Sequence, residues 1–320
     1  MRALITGMTG FVGSHLKNYL INEKGWEIWG VSRSPSSKVT NMQVPLLDTN
    51  WDLEDLKRKI DLLAPDYIFH LAGQSNVKRS WENTRETFEA NVLNTINLLE
   101  AVRSSRVAQT VKVITVGSSE EYGQVDASLL PIIESTPPNP GSPYGVSKLS
   151  VSMLAKQYYE SYKLQIIHVR PFNHIGPGQR LGFVVSDFAY QVASIEEGLQ
   201  EPVLYVGNLS AKRDFLDVRD IVRAYAEIAC RGQPGEIYNI CSGKPVEIRT
   251  LLELLIKQST KPIEIKVDSN RLRPVDVPYY YGSNEKIKEQ LGIIPTISLE
   301  ESLKDIYEYW RCLIRNEGSI

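Results

Sequence analysis

A chain of 320 residues is long for a single core and suits two packed domains. Its 42% apolar and 23% charged residues are those of an ordinary globular protein, and a formal net charge of -2 argues against a dedicated nucleic-acid binder, which would be basic. No stretch approaches the roughly 20 apolar residues that span a bilayer, so no membrane partner is expected.

The N-terminus runs from a short apolar segment, residues 2–6, straight into glycines, which reads as a first strand rather than a signal peptide. Residues 10–24 carry Val12, Leu16, Tyr19 and Leu20 on one helical face. Residues 26–32 read as a second strand and 52–64 as a second helix. Residues 66–72 and 111–118 are further strands, separated by one long helix over 84–105. Strands alternating with helices in this way imply an α/β fold, a doubly wound parallel sheet with helices on both faces. From residue 165 the pattern changes: Gly and Pro become frequent and helices alternate with irregular segments, while 220–232 and 236–243 return to a helix–strand unit. The expected division is a dinucleotide-binding domain of residues 1–170, rejoined by 218–243, and a smaller, partly interleaved substrate domain of 171–217 and 244–320. The ligand crevice belongs at the carboxyl ends of the strands.

Gly7, Gly10 and Gly13 stand in the order G-x-x-G-x-x-G between the first strand and the first helix, with Phe11 and Val12 between them. In that context glycines let the backbone approach a pyrophosphate and the helix N-terminus offers it free N–H groups. Strand two ends at Ser32 and Arg33, where an acidic residue would hold the ribose of NAD and an arginine suits the 2′-phosphate of NADP. NADPH is therefore the expected cofactor, with NADH the alternative if Arg33 is only a solvated strand-end charge. Asp48, Leu71 and Ala72 are assigned to the same site.

Tyr144 and Lys148 are four apart, and on a helix such residues share a face with Cβ atoms about 5–6 Å apart. A lysine beside a phenol favours the phenolate and lets the tyrosine exchange a proton near neutral pH. His15, His70, His168 and His174 show no metal spacing, and Cys230, Cys241 and Cys312 are an odd set without CxxC. No metal is expected, and free thiols suit a reducing cytoplasm.

With the glycine loop, SSEEYG (118–123) and YGVSK (144–148) in that order, the chain resembles the extended short-chain dehydrogenase/reductase family over nearly its whole length. Residues 71–103 and RPFNHIGPGQ (170–179) are similar to the GDP-mannose-modifying branch, with departures at Gly73 and Asn94. The resemblance implies a Rossmann-type domain and a nucleotide-sugar domain, paired into a homodimer through the helices near 84–105 and 144–162. It implies Tyr144 as proton donor to a carbonyl, Lys148 as its electrostatic partner and Ser118 as a second hydrogen-bond donor. Arg213 and Arg273 align with arginines that bind a diphosphate, and Asn173 with a substrate contact; Gln179 and Asp276 are further candidates. Arg271 and Lys212 lie beside those arginines. The implied reaction is NADPH-dependent reduction of a GDP-4-keto-6-deoxyhexose to GDP-D-rhamnose, for surface polysaccharide. Glu120, two residues after Ser118, keeps the spacing of the 4,6-dehydratases, so a dehydratase or a 4-epimerase is the alternative. A non-catalytic dinucleotide sensor would have no need of both Tyr144 and Lys148. His174 reads as a packed loop residue.

Overall fold

A computed structural model describes residues 1–32, 44–268 and 277–317. The strands are β1 (Arg2–Thr6), β2 (Glu27–Ser32), β3 (Leu46–Asp48), β4 (Tyr67–His70), β5 (Lys112–Val116), β6 (Gln165–Pro171) and β7 (Asn173–Ile175). They continue as β8 (Val203–Val206), β9 (Lys212–Asp217), β10 (Ile237–Ile240), β11 (Pro245–Glu247), β12 (Glu264–Val267) and β13 (Tyr279–Tyr280). The helices begin with α1 (Phe11–Asn22), α2 (Leu53–Leu63), α3 (Val77–Glu82), α4 (Thr84–Phe88), α5 (Asn94–Arg103) and α6 (Pro143–Tyr162). They end with α7 (Val184–Glu196), α8 (Val218–Arg231), α9 (Ile248–Ile256), α10 (Glu285–Leu291) and α11 (Leu299–Glu317).

Seven parallel strands form the main sheet in the order β3-β2-β1-β4-β5-β6-β10. This is the doubly wound, Rossmann-type order, with its switch point between β1 and β4. Successive residues of β1 feed opposite cores: Ala3 and Ile5 pack with α1 and α8, Leu4 with α2, α5 and α6. Because both faces are covered, the strands read as continuous apolar runs rather than alternating ones. Local chemistry sets the helix ends. Asp52 caps α2 through the Glu54 and Asp55 N–H groups, and Ser142 caps α6 through Gly145 with Pro143 as its first residue. A second layer is built on β9, which pairs with β7, β11 and β13, and on the β8–β12 pair. Leu251, Leu252, Leu255, Leu303 and Ile306 join α9 and α11 to α7 in its core.

The long helix expected over 84–105 is interrupted by a π turn at Glu89–Leu93. The buried Asn91 side chain sits there, accepting from the Gln74 N–H at 2.7 Å and donating to the Gln74 carbonyl at 3.1 Å and Ser147 Oγ at 2.9 Å. Widening one turn aims the amide at the loop after β4, a use typical of single π turns.

Candidate active site

The glycine loop lies where β1 meets α1, at the switch point. Gly7 has φ +71°, and a Cβ there would stand 2.8 Å from the Ala72 nitrogen. A Cβ on Gly13 would reach 2.2 Å from the Gly7 carbonyl, so α1 can start this close to β1 only without one. Gly10 is the N-cap of α1 and caps it with no side chain, which leaves the first N–H groups directed at the space above the sheet. Phe11 stacks on His174 at 6.1 Å and meets His15 edge-on at 5.5 Å, and His15 Nε2 bonds the Pro177 carbonyl at 2.8 Å. The loop is thereby clamped to the segment after β7. His174 is half-buried; desolvation lowers its pKa against the raising contact of its Nδ1 with the Phe172 carbonyl at 3.0 Å, and it serves as a packed ring in the clamp.

A cleft of about 610 Å³ opens here, and one wall carries Gly7, Gly10, Phe11, Val12, Gly13 and Leu71. Ser118, Glu120, Tyr144 and Lys148 face the same space, as do Asn173 and Gln179. Ala72 stays behind the wall, its N–H on Thr6 Oγ1 at 3.1 Å and its backbone against Gly7. Ser32 and Asp48 are opposite each other at the carboxyl ends of β2 and β3, and Asp48 is exposed. Arg33, Arg271, Arg273 and Asp276 lie outside the described residues. Arg213 does not line the cleft; its Nη1 donates to the Val277 carbonyl at 2.6 Å, while the neighbouring Lys212 ammonium lies over the Tyr279 ring. The exposed Asn173 donates to the Asp214 carbonyl at 3.1 Å. Gln179 donates to the His174 carbonyl at 3.0 Å, and its buried Oε1 has no hydrogen-bond partner among the described residues.

The reading of motifs missed two cations of the cleft. Arg79 pairs with Glu86 at 2.5 Å, and Arg180 lies 5.9 Å from the Phe183 ring centroid. Arg180 directly follows the GPGQ segment, which was the one available signal.

Tyr144 and Lys148 lie in the first two turns of α6. Ser80 Oγ accepts the Tyr144 N–H at 3.1 Å, and Ser147 Oγ donates to the Tyr144 carbonyl at 2.7 Å. The Lys148 ammonium donates to the Val116 carbonyl at 2.8 Å and lies 5.9 Å from the Tyr144 ring centroid. Burial lowers the Lys148 pKa to about 8, against the pull of the Glu121 charge. The phenol behaves opposite to the expectation from its neighbour. Burial pushes the Tyr144 pKa up, a hydrogen bond with the Ser118 hydroxyl draws it down, and the Glu120 and Glu121 charges add to the rise. Loss of solvent around the anion disfavours the phenolate and outweighs the Ser118 hydrogen bond. Such a group is suited to giving a proton to a developing alkoxide rather than taking one from an alcohol.

Below Lys148, His70 bonds Thr6 and Thr95 at 2.9 Å each, and burial followed by the Lys148 charge depresses its pKa to about 3. It is a neutral spacer. Ser118 opens a 3₁₀ turn over Ser119–Glu121 and accepts the Glu120 N–H at 3.2 Å, while Glu121 Oε1 accepts the Ser118 N–H at 2.9 Å. The Tyr280 hydroxyl donates to the Ser119 carbonyl from 161 residues away. Among the described residues no group of three His, Cys, Asp or Glu side chains could hold a metal, and the three cysteines are unpaired.

Residues 4–306 match the family described as GDP-mannose 4,6 dehydratase. The chain is 36% identical over 327 residues to GDP-6-deoxy-D-mannose reductase of Pseudomonas aeruginosa, covering 99% of both chains. It is 30% identical over 343 residues to GDP-mannose 4,6-dehydratase of Yersinia enterocolitica, covering 94% of this chain and 91% of the relative. The solved structure of RMD from Pseudomonas aeruginosa complexed with NADPH is similar at TM-score 0.83 and 34% identity, over 98% of this chain and 99% of that one.

Proposed function

The chain belongs to the GDP-mannose 4,6 dehydratase family, and we propose that within it this protein reduces the 4-keto group of GDP-4-keto-6-deoxy-D-mannose to give GDP-D-rhamnose, a precursor for surface polysaccharide. The observation that carries this reading is that Ser118, Tyr144 and Lys148 face the same cleft as the glycine loop. A reductase needs an acid at the carbonyl oxygen, and the Tyr144 phenol is placed to be that acid. The likeness to a GDP-6-deoxy-D-mannose reductase over 99% of both chains points the same way.

The cradle fits a dinucleotide: two of its glycines could bear no Cβ, and the helix behind them starts uncapped. NADPH, when bound, supplies the hydride to the carbonyl carbon. The chain's own residues do the rest. Ser118 and Tyr144 hydrogen-bond the ketone oxygen, and Tyr144 hands over its proton as negative charge develops there. Lys148 stabilises the phenolate that remains and holds the nicotinamide ribose. We assign the cofactor to residues 1–170 with 218–243 and the GDP-sugar to 171–217 and 244–320. On the substrate side, we assign Asn173 to the sugar, Arg213 and Arg273 to the diphosphate, and Gln179 and Asp276 to the base or ribose. The preference for NADPH over NADH rests on Arg33, and Ser32 and Asp48 take the adenosine end.

We further propose a homodimer through the π turn leading into α5 and the face of α6, where Leu93 is 52% and Met153 60% exposed. The three unpaired thiols suit a cytoplasmic enzyme. A second reading, 4,6-dehydration, is favoured by Glu120, which lines the cleft two residues from Ser118. The test is NADPH absorbance in two cuvettes, one with GDP-4-keto-6-deoxymannose and NADPH, the other with GDP-mannose and NADP⁺. NADPH loss in the first with a GDP-deoxyhexose product supports the reductase. A silent first cuvette with keto-sugar forming in the second refutes it in favour of the dehydratase.

A further inference from the structure

Two glutamates stand side by side in the SSEEYG turn, and the fold separates them. Glu120 lines the cleft, whereas Glu121 is 0% exposed beneath the sheet's carboxyl edge. Burying a carboxylate costs several kcal/mol unless it is paired and hydrogen-bonded. Here the pairing is complete. Oε1 accepts the Ser118 N–H at 2.9 Å and meets His168 Nε2 at 3.1 Å, while Oε2 accepts Arg170 Nε at 2.7 Å. The supports are themselves held: His168 Nδ1 meets Thr115 Oγ1 at 2.9 Å, and Arg170 lies 4.6 Å from the Tyr122 ring centroid with Nη2 on Ser152 Oγ at 3.3 Å. Burial raises the Glu121 pKa, but His168, Arg170 and the Ser118 N–H outweigh it and hold the group ionised.

An all-apolar cluster in place of the whole ion pair would be about as stable or more so, since buried ion pairs seldom outperform well-packed hydrophobic replacements, whereas removing Glu121 alone strands the buried Arg170. The carboxylate is instead aimed at the one turn that presents Ser118. Ser118 Oγ already accepts the Glu120 N–H, so its own proton is left for the phenol or a ketone oxygen. Gly117 completes the arrangement, because a Cβ there would fall 1.9 Å from Glu121 Oε1 and 2.4 Å from His168 Nε2.

We propose that Glu121 is a positioning residue for the reduction: by gripping the Ser118 N–H, it fixes the Ser118 hydroxyl against the Tyr144 phenol, with Arg170 and His168 holding the carboxylate. This rests on the assignment of Ser118 and Tyr144 to the reaction.

The test is a double-mutant cycle on steady-state NADPH oxidation with the keto-sugar, using Ser118→Ala, Glu121→Leu, Gly117→Ala and each of the latter two combined with Ser118→Ala. Loss of one such donor costs about 100- to 1,000-fold in kcat, so misaiming it should cost at least about 10-fold. Glu121→Leu and Gly117→Ala are each expected to lower kcat by that amount, with both KM values within about threefold. In the Ser118→Ala background either change should cost less than about threefold more, because the group it positions is gone. Gly117→Ala displaces the carboxylate without altering any charge, and it decides the matter where Glu121→Leu does not fold. Costs that multiply with Ser118→Ala, or that fall on KM, would overturn the positioning role and leave the reductase reading standing. A Ser118→Ala enzyme with unchanged kcat would instead overturn the assignment of Ser118 itself.

Discussion

Replacing Lys148 by methionine should make the folded protein more stable near neutral pH while destroying its activity. The Lys148 ammonium is buried, and burial moves its pKa from 10.5 to about 8, with the Glu121 charge acting against the shift. A base whose folded pKa lies below its unfolded one leaves the unfolded chain holding the extra proton between those values. Stability therefore rises with pH from about 8 to about 10.5, and below 8 the full penalty applies. At 1.36 kcal/mol per unit the gap corresponds to about 3 kcal/mol at pH 7, falling to roughly half by pH 9.5. Methionine matches the lysine stem in shape and adapts to irregular space. It forfeits the bond to the Val116 carbonyl, a loss of about 1 kcal/mol. The net expectation is a gain of about 2 kcal/mol at pH 7 that has nearly vanished by pH 9.5. Urea unfolding of both proteins without cofactor, at the two pH values, measures it. A variant less stable at pH 7, or a gain that does not shrink with pH, would refute burial as the source of the lysine's shift.

The remaining expectations concern the acid and the cofactor loop. Tyr144→Phe should lower turnover at least ~100-fold, the scale of general acid catalysis, with NADPH affinity within about threefold by fluorescence titration. Near-normal turnover would remove the phenol from the reaction. Gly7→Ala forces an alanine to φ +71° with its Cβ 2.8 Å from the Ala72 nitrogen. The left-handed conformation alone costs about 1–2 kcal/mol, so NADPH binding should weaken at least ~10-fold and the melting temperature should fall. Unchanged affinity by the same titration would mean that the loop does not cradle the cofactor.

The sheet and the Gly-loop geometry were legible because their signals are local. A strand running into three spaced glycines and a helix is written in a dozen consecutive residues. Tyr144 and Lys148 were legible for the same reason, since spacing on one helix fixes their shared face. What was not legible depends on residues far apart. Glu121 meets His168 and Arg170 across 47 and 49 residues, and nothing near position 121 announces a buried ion pair. The π turn at Glu89–Leu93 breaks a helix whose apolar spacing is continuous, because the cause is Asn91 reaching Gln74 and Ser147. The direction of the Tyr144 shift was misread because a neighbouring charge is visible in a sequence and the degree of burial is not. The Arg213 contact with the Val277 carbonyl joins residues 64 apart and has no local signal either.

The bond from Tyr280 to the Ser119 carbonyl has a consequence for how the protein comes into being. The turn that carries Ser118 is synthesised early, but the hydroxyl that braces it arrives 161 residues later. At 5–20 residues per second a ribosome needs about 8–32 s to cover that distance. During this interval the glycine loop, the tyrosine and the lysine already exist on the growing chain, while the serine turn lacks one of its braces. Chains that terminate before residue 280 are born in that unfinished state. The fold thus ties the bracing of its serine turn to the arrival of Tyr280 on the growing chain.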